Sequence, residues 1–246
     1  MTVHLVGAGP GDPGLLTMRG AELLRRCDVV VHDRLVSPEM LAMAPPWAEQ
    51  VDVGKRPGAH AVTQADINAI LVDRGARFEC VVRLKGGDPH VFGRGAEELD
   101  ALRVAGIATD VVPGVSSAIA GPAAAGIPLT SRNASSGFTV VTAHQDPTND
   151  RVLDWDALAR LGTTLVVLMG AARARAIADR LLAGGMAADT PVAVITEATR
   201  PTQRELRTTL FHLGDEPVPN PSVIVIGAVA AYDLRHVTLL TQGSSR

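Results

Sequence analysis

The 246-residue sequence has little cysteine and no cluster of it: Cys27 and Cys80 stand far apart. Isolated thiols offer neither a metal-ligand pair nor a disulfide framework. Both are expected as reduced residues of the core or its edge in a cytosolic protein. Histidine is equally scattered, with no two of the seven at helix-face spacing, so no metal site is expected. No apolar run approaches the roughly 20 residues a membrane span needs. The opening Met1-Thr2-Val3-His4-Leu5-Val6-Gly7 lacks the basic-then-apolar order of a signal peptide. A soluble, cytoplasmic protein with no membrane partner is the expectation. Positive charge is in short supply, with 23 Lys and Arg against 26 Asp and Glu and a formal net charge of −3. Nucleic acid, which calls for a basic face, is not expected as a partner. No internal repeat is visible.

Apolar residues make up 46% and charged residues 20%, enough for a packed core and too little polarity for disorder. Short β-branched runs alternate with helical patterns from end to end. Strands are expected at 3–7, 28–32, 80–84, 109–112, 138–142, 164–169, 191–196, 222–227 and 236–241. Helices are expected at 17–27, with Leu23, Leu24 and Cys27 on one face, and at 171–183, ended by Gly184-Gly185. Such alternation marks an α/β fold with largely parallel sheets. The polar stretch Thr130-Ser131-Arg132-Asn133-Ala134-Ser135-Ser136-Gly137 has no periodicity. A boundary there gives two α/β domains, 1–131 and 132–246.

Chemistry concentrates in Arg83-Leu84-Lys85-Gly86-Gly87-Asp88-Pro89-His90-Val91-Phe92-Gly93-Arg94-Gly95, which holds four glycines, three cations and one carboxylate. A strand stops abruptly here, and its glycines let backbone groups approach a ligand closely. Gly-Gly-Asp alone would equally suit an ordinary strand-to-helix turn. The earlier Gly7-Ala8-Gly9-Pro10-Gly11-Asp12-Pro13 sits where a dinucleotide-binding turn would, with Asp33 placed like a ribose-binding acid. Asp12 occupies the third glycine position, however, and two prolines remove amide donors, so a pyrophosphate is poorly served. A cation without phosphate suits this turn better.

Together these segments resemble the tetrapyrrole methylases, and among them the members that act on uroporphyrinogen III. The likeness runs through Gly7 to Leu16, Asp33-Arg34-Leu35-Val36-Ser37, Val53-Gly54-Lys55-Arg56-Pro57-Gly58 and Gln64-Ala65-Asp66-Ile67-Asn68. It continues through Arg83 to Glu98, Pro113-Gly114-Val115-Ser116-Ser117 and Ala125-Gly126-Ile127-Pro128-Leu129-Thr130, with a looser match at Leu168-Met169-Gly170. The resemblance implies two α/β domains with S-adenosylmethionine (SAM) and substrate in the cleft between them, and a homodimer. It implies SAM contacts from Pro10, Gly86, Gly87, Asp88, Val91, Ser116, Ser117, Met169 and Ala198. Asp33 is implied as proton acceptor and Lys55 as proton donor. The implied reaction is two C-methylations of uroporphyrinogen III, through precorrin-1 to precorrin-2, in siroheme or cobalamin biosynthesis, with S-adenosylhomocysteine (SAH) as by-product. A chain of this length would stop at precorrin-2, without the dehydrogenase and chelatase domain fused to some relatives.

A substrate bearing acetate and propionate arms calls for cations, and Arg56, Arg94 and Arg132 stand in or beside the motif loops. Each would otherwise be a solvated surface charge, and Asp33 a helix cap. Ser131 stands where these enzymes usually carry histidine, and Ala124 and Leu168 where tyrosine is frequent. Thr142-Ala143-His144 replaces Thr-Gly-His. The alternatives are a later precorrin methyltransferase, a nicotinamide oxidoreductase, and a cofactor-binding regulator without turnover.

Overall fold

The alternating runs become two separate five-stranded sheets in a computed structural model that describes residues 1–54, 62–148 and 153–235. The chain divides into two compact units: residues 1–120 with 199–201, and residues 121–198 with 202–246.

The first unit contains β1 (Thr2–Gly7), α1 (Met18–Leu24), β2 (Val29–His32), α2 (Pro38–Leu41), β3 (Glu49–Asp52), α3 (Gln64–Gly75), β4 (Cys80–Lys85), α4 (Gly95–Val104) and β5 (Ala108–Val112). Its sheet runs β3-β2-β4-β1-β5 and every pair in it is parallel. Alternation along the strands sends side chains to two cores. Val6, Val30, Val82 and Leu84 pack with Leu23, Leu24 and Met40 of α1 and α2. Val3, Leu5, Val29, Val31 and Val81 pack with Ile67, Leu71 and Leu102 of α3 and α4. The helices start where side chains can satisfy their free amides. Thr17 accepts from the N–H of Gly20 at 3.1 Å, and Thr63 and Asp66 cap α3 reciprocally. Connections leave β2 toward β3 and β4 toward β5, in opposite directions across the sheet. Such a reversal marks the carboxyl ends of these neighbouring strands as the usual ligand position in open α/β sheets.

The second unit follows α5 (Ser117–Ala124), which spans the division, with β6 (Phe138–Thr142), α6 (Trp155–Arg160), β7 (Thr164–Leu168), α7 (Ala174–Ala183), β8 (Pro191–Thr196), β9 (Arg204–Thr209) and β10 (Ser222–Ile226). Trp155, Ile177 and Leu181 cover one face of the sheet, against Val141, Leu165, Val167, Val192, Val194 and Ile224.

Largely parallel pairing holds in the first unit and fails in the second. The order β6-β7-β10-β8-β9 contains one parallel pair, β6 with β7; the others are antiparallel. The reason lies in the connections, because loop 197–203 joins β8 to β9 without a crossover helix and lets them pair as a hairpin. Two strands were absent from the expected set, β3 and β9, and both are sheet edges. Their sequences, Glu-Gln-Val-Asp and Arg-Glu-Leu-Arg-Thr-Thr, carry the charges that protect edges and so lack an apolar signature. The stretch 130–137 lies inside the second unit. It closes as a tight turn, Ser131 bridged to Ser135, and buried Ser135 accepts from the N–H of Thr164 at 2.9 Å as β7 begins. The strand expected at 236–241 lies outside the described residues.

Candidate active site

Three loops meet at the carboxyl ends of β4, β1 and β5. Gly9 and Gly87 exchange backbone hydrogen bonds, Gly87 N to Gly9 O at 2.7 Å and Gly9 N to Gly87 O at 3.1 Å. Gly114 closes on Gly87 and Gly7: a Cβ built on Gly7 would lie 2.5 Å from Gly114 Cα and 2.7 Å from Gly87 O. Only glycine permits this approach, and Gly87 also holds φ at +68°. Asp88 pins the arrangement. Its Oδ1 accepts from His90 N at 2.8 Å and its Oδ2 from Gly114 N at 3.0 Å. Ser116 Oγ accepts from Ala118 N at 3.2 Å at the start of α5. Pro10, Gly86, Gly87, Asp88, Ser116 and Ser117 are thus brought onto this loop cluster, none of them fully buried. Val91 follows, 39% exposed, in a turn whose N–H reaches Asp88 O. Asp12 is occupied by Gly14 N at 2.7 Å, capping a short helical turn.

Asp33 directly follows β2, beside the β4 loop. Its N–H donates to Leu84 O at 3.3 Å, and its Oδ1 accepts from Arg83 Nη2 at 2.6 Å. Its side chain is 34% exposed while that of Arg83 is 2% exposed. Arg83 turns also to Glu98, whose Oε1 accepts from Nε at 3.3 Å and Nη2 at 3.2 Å. Lys85 Nζ donates to the same oxygen at 2.8 Å, and Gln64 Nε2 reaches it at 3.4 Å. Arg83 Nη1 points to the carbonyls of Val31 and Leu84, each at 3.4 Å. Burial pushes the Lys85 ammonium below its ordinary range, Arg83 adds to that, and Glu98 and Asp33 oppose it. Removing one member of such a buried set costs about 3–5 kcal/mol, because the remaining charge is stranded.

The other expected site residues lie elsewhere. In the second unit Met169 follows β7 with φ +55° and 48% exposure, and Ala198 is buried after β8, past Glu197 with φ +48°. Arg132 is exposed in the 131–135 turn. Arg94, at the start of α4 with φ +57°, is held by Glu97 through Nε to Oε1 at 2.7 Å and Nη2 to Oε2 at 2.6 Å. Lys55 and Arg56 lie outside the described residues. Cys27 and Cys80 are free thiols; burial pushes the Cys27 thiol up to about 12, with Cys80 adding to it.

Residues 2–214 match the family described as Tetrapyrrole (Corrin/Porphyrin) Methylases. The chain belongs to the tetrapyrrole methylase family. The chain is 46% identical to the S-adenosyl-L-methionine-dependent uroporphyrinogen III methyltransferase of Methanosarcina barkeri, over 92% of this chain and 91% of that one. It is 50% identical to siroheme synthase 1 of Yersinia pseudotuberculosis, over 92% of this chain and 48% of the other. The chain thus spans about half the length of the siroheme synthases it matches. Among solved structures, uroporphyrin-III C-methyltransferase of Thermus thermophilus complexed with S-adenosylhomocysteine matches at TM-score 0.81 and 40% identity, covering 93% of this chain and 98% of that one.

Glu98 and Lys85 escaped the sequence reading, although a signal was present. Arg83 and Lys85 alternate on one face of a strand otherwise made of Cys80, Val81, Val82 and Leu84. Two cations on the buried face of a central strand require a carboxylate partner. What the motif could not say was which carboxylate, since Glu97 and Glu98 are adjacent and only helix phase separates them.

Proposed function

We propose that this methylase transfers methyl groups from SAM to uroporphyrinogen III, twice, through precorrin-1 to precorrin-2, on a route to siroheme or cobalamin. The observation that carries this is the nearly end-to-end likeness to the Methanosarcina barkeri protein named for that activity. The Thermus thermophilus neighbour, solved with S-adenosylhomocysteine, supports SAM as donor and SAH as product. The protein acts as a cytoplasmic homodimer on a small-molecule tetrapyrrole, with no nucleic-acid or membrane partner. Among the described residues, no helix is long and apolar enough to cross a membrane, and no group of three His, Cys, Asp or Glu side chains could hold a metal ion.

The loop cluster suits a cationic donor. It offers glycine backbone without Cβ atoms, the carboxylate of Asp88 and the hydroxyls of Ser116 and Ser117. Pro10, Gly86, Gly87, Asp88, Val91, Ser116, Ser117, Met169 and Ala198 are the residues assigned to SAM. SAM supplies an electrophilic methyl on sulfur, which the electron-rich pyrrole carbon takes while sulfur leaves with the bond's electron pair. The protein's contribution is then alignment of its two ligands. Asp33, partly exposed and held by Arg83, accepts the proton that the methylated ring sheds. Lys55 is assigned as proton donor. Arg56, Arg94 and Arg132 receive the carboxylate arms; a guanidinium can bind one in a planar, two-point fashion, though Arg94 already spends its Nε and Nη2 on Glu97.

The test is incubation of the purified chain with methyl-labelled SAM and uroporphyrinogen III under reducing conditions. Label is expected on ring carbons, with two equivalents of SAH per precorrin-2. No transfer to uroporphyrinogen III, with transfer to a precorrin instead, would move the chain to a later step.

A further inference from the structure

We propose that Glu98 is a positioning residue for Asp33, acting through Arg83; this rests on the reading of Asp33 as proton acceptor. Arg83 Nη2 is the shared donor, 2.6 Å from Asp33 Oδ1 and 3.2 Å from Glu98 Oε1. The rest of the guanidinium is fixed from behind. Nε is directed to Glu98, and Nη1 to the carbonyls of Val31 on the neighbouring strand β2 and of Leu84 on its own strand. Asp33 itself stands past the end of β2 with a third of its side chain exposed. Its orientation therefore depends on a donor that cannot move.

Glu98 determines whether that donor stays put. It is fully buried in the first turn of α4, and its Oε1 collects contacts from Arg83, Lys85 and Gln64. Among the described residues no donor reaches its Oε2. A buried carboxylate with one oxygen unpartnered among the described residues is unfavourable as a purely structural device, and an apolar residue would serve a buried position better. Charge explains its presence. Arg83 and Lys85 are balanced by Glu98 and Asp33, so Glu98 takes up cationic charge that would otherwise fall on Asp33 alone. With Glu98 neutral, of the two carboxylates only Asp33 is left to balance Arg83 and Lys85, the guanidinium is no longer held from behind by a charge, and Asp33 loses the orientation its donor gives it.

The experiment is a double-mutant cycle with Glu98→Gln and Asp33→Asn, read as kcat, KM and SAH affinity by calorimetry. Glu98→Gln keeps the shape and one accepting oxygen, removes the charge and turns the other oxygen into an NH2 donor. It is expected to lower kcat at least tenfold, leave SAH affinity within about twofold, and produce no further loss in the Asp33→Asn background. Arg83→Lys, which keeps the charge but loses the fork that spans both carboxylates, is expected to do the same. It carries the test if Glu98→Gln fails to fold. A loss that multiplies with that of Asp33→Asn overturns this proposal alone. An Asp33→Asn protein as active as the wild type overturns the proton-acceptor reading and this proposal with it.

Discussion

Asp88 accepts the backbone N–H of Gly114 at 3.0 Å and so ties the loop after β4 to the loop after β5. Its second oxygen holds the N–H of His90 at 2.8 Å, which shapes its own loop. One side chain thus organises two of the three loops assigned to the methyl donor. A carboxylate accepts more than two hydrogen bonds, so Asp88 keeps acceptor capacity beyond these two contacts.

Asp88→Ala is therefore expected to weaken SAH binding by about 1–3 kcal/mol, the range for losing hydrogen bonds to a charged partner. Calorimetry on the purified variant checks this. Unaltered affinity would remove Asp88 and its loop tie from the donor site.

Gly114→Ala tests the loop convergence itself. The added methyl meets the carbonyl oxygen of Gly87 and lies 2.7 Å from Gly7 Cα, both backbone atoms that cannot turn aside. Overpacking of this kind costs about 1–3 kcal/mol. A lowered unfolding midpoint together with lost SAH binding is expected; a variant with wild-type values for both contradicts the geometry.

For Asp33→Asn a fall in turnover of about 10²–10⁴-fold is expected, the usual contribution of a general base, with SAH affinity retained. A fall under about tenfold would mean that water or another group takes the proton and Asp33 only orients the ring. Loss of SAH binding instead would put Asp33 among the donor contacts.

Arg132→Ala is expected to raise KM for the porphyrinogen while SAH affinity stays unchanged, since only pairing to a carboxylate arm is lost. Steady-state kinetics decide the point. Wild-type KM would make Arg132, exposed in its turn, a solvated charge and nothing more.

Acid stability should report the cap of α3. The Thr63 hydroxyl, and after it the Thr63 backbone N–H, hold the Asp66 carboxyl below its ordinary value of 3.8. A depressed folded-state value stabilises above that ordinary value and is lost as pH falls through the folded one. The gap in unfolding midpoint between wild type and Asp66→Asn should therefore be present at neutral pH and close below pH 3.8. A gap that persists in strong acid would show that the cap acts without its charge.

Much of this was legible in one dimension because it depends on local pattern. The buried central strands β1, β2, β7, β8 and β10 are mostly apolar and rich in β-branched residues, as burial on both faces requires, and β4 shares the pattern apart from its two cations, Arg83 and Lys85. The edge strands β3 and β9 were not legible, because half of each one's residues face water and the charges that guard an edge erase the period. Nor was the division near residue 120, which falls within the continuous helix α5 rather than in a polar linker.

By itself the amino-acid sequence determined the family and the glycines that let three loops meet. These depend on residue type at fixed spacing, which survives without coordinates. Only the tertiary structure decided that Asp88 is a tie between loops, that the second sheet is mixed, and that Arg83 stands between Asp33 and Glu98. Those facts depend on strand order and helix phase, which set residues far apart in sequence within hydrogen-bond reach. Nothing local in Glu97-Glu98 tells which carboxylate turns inward; the packing of α4 on the sheet does.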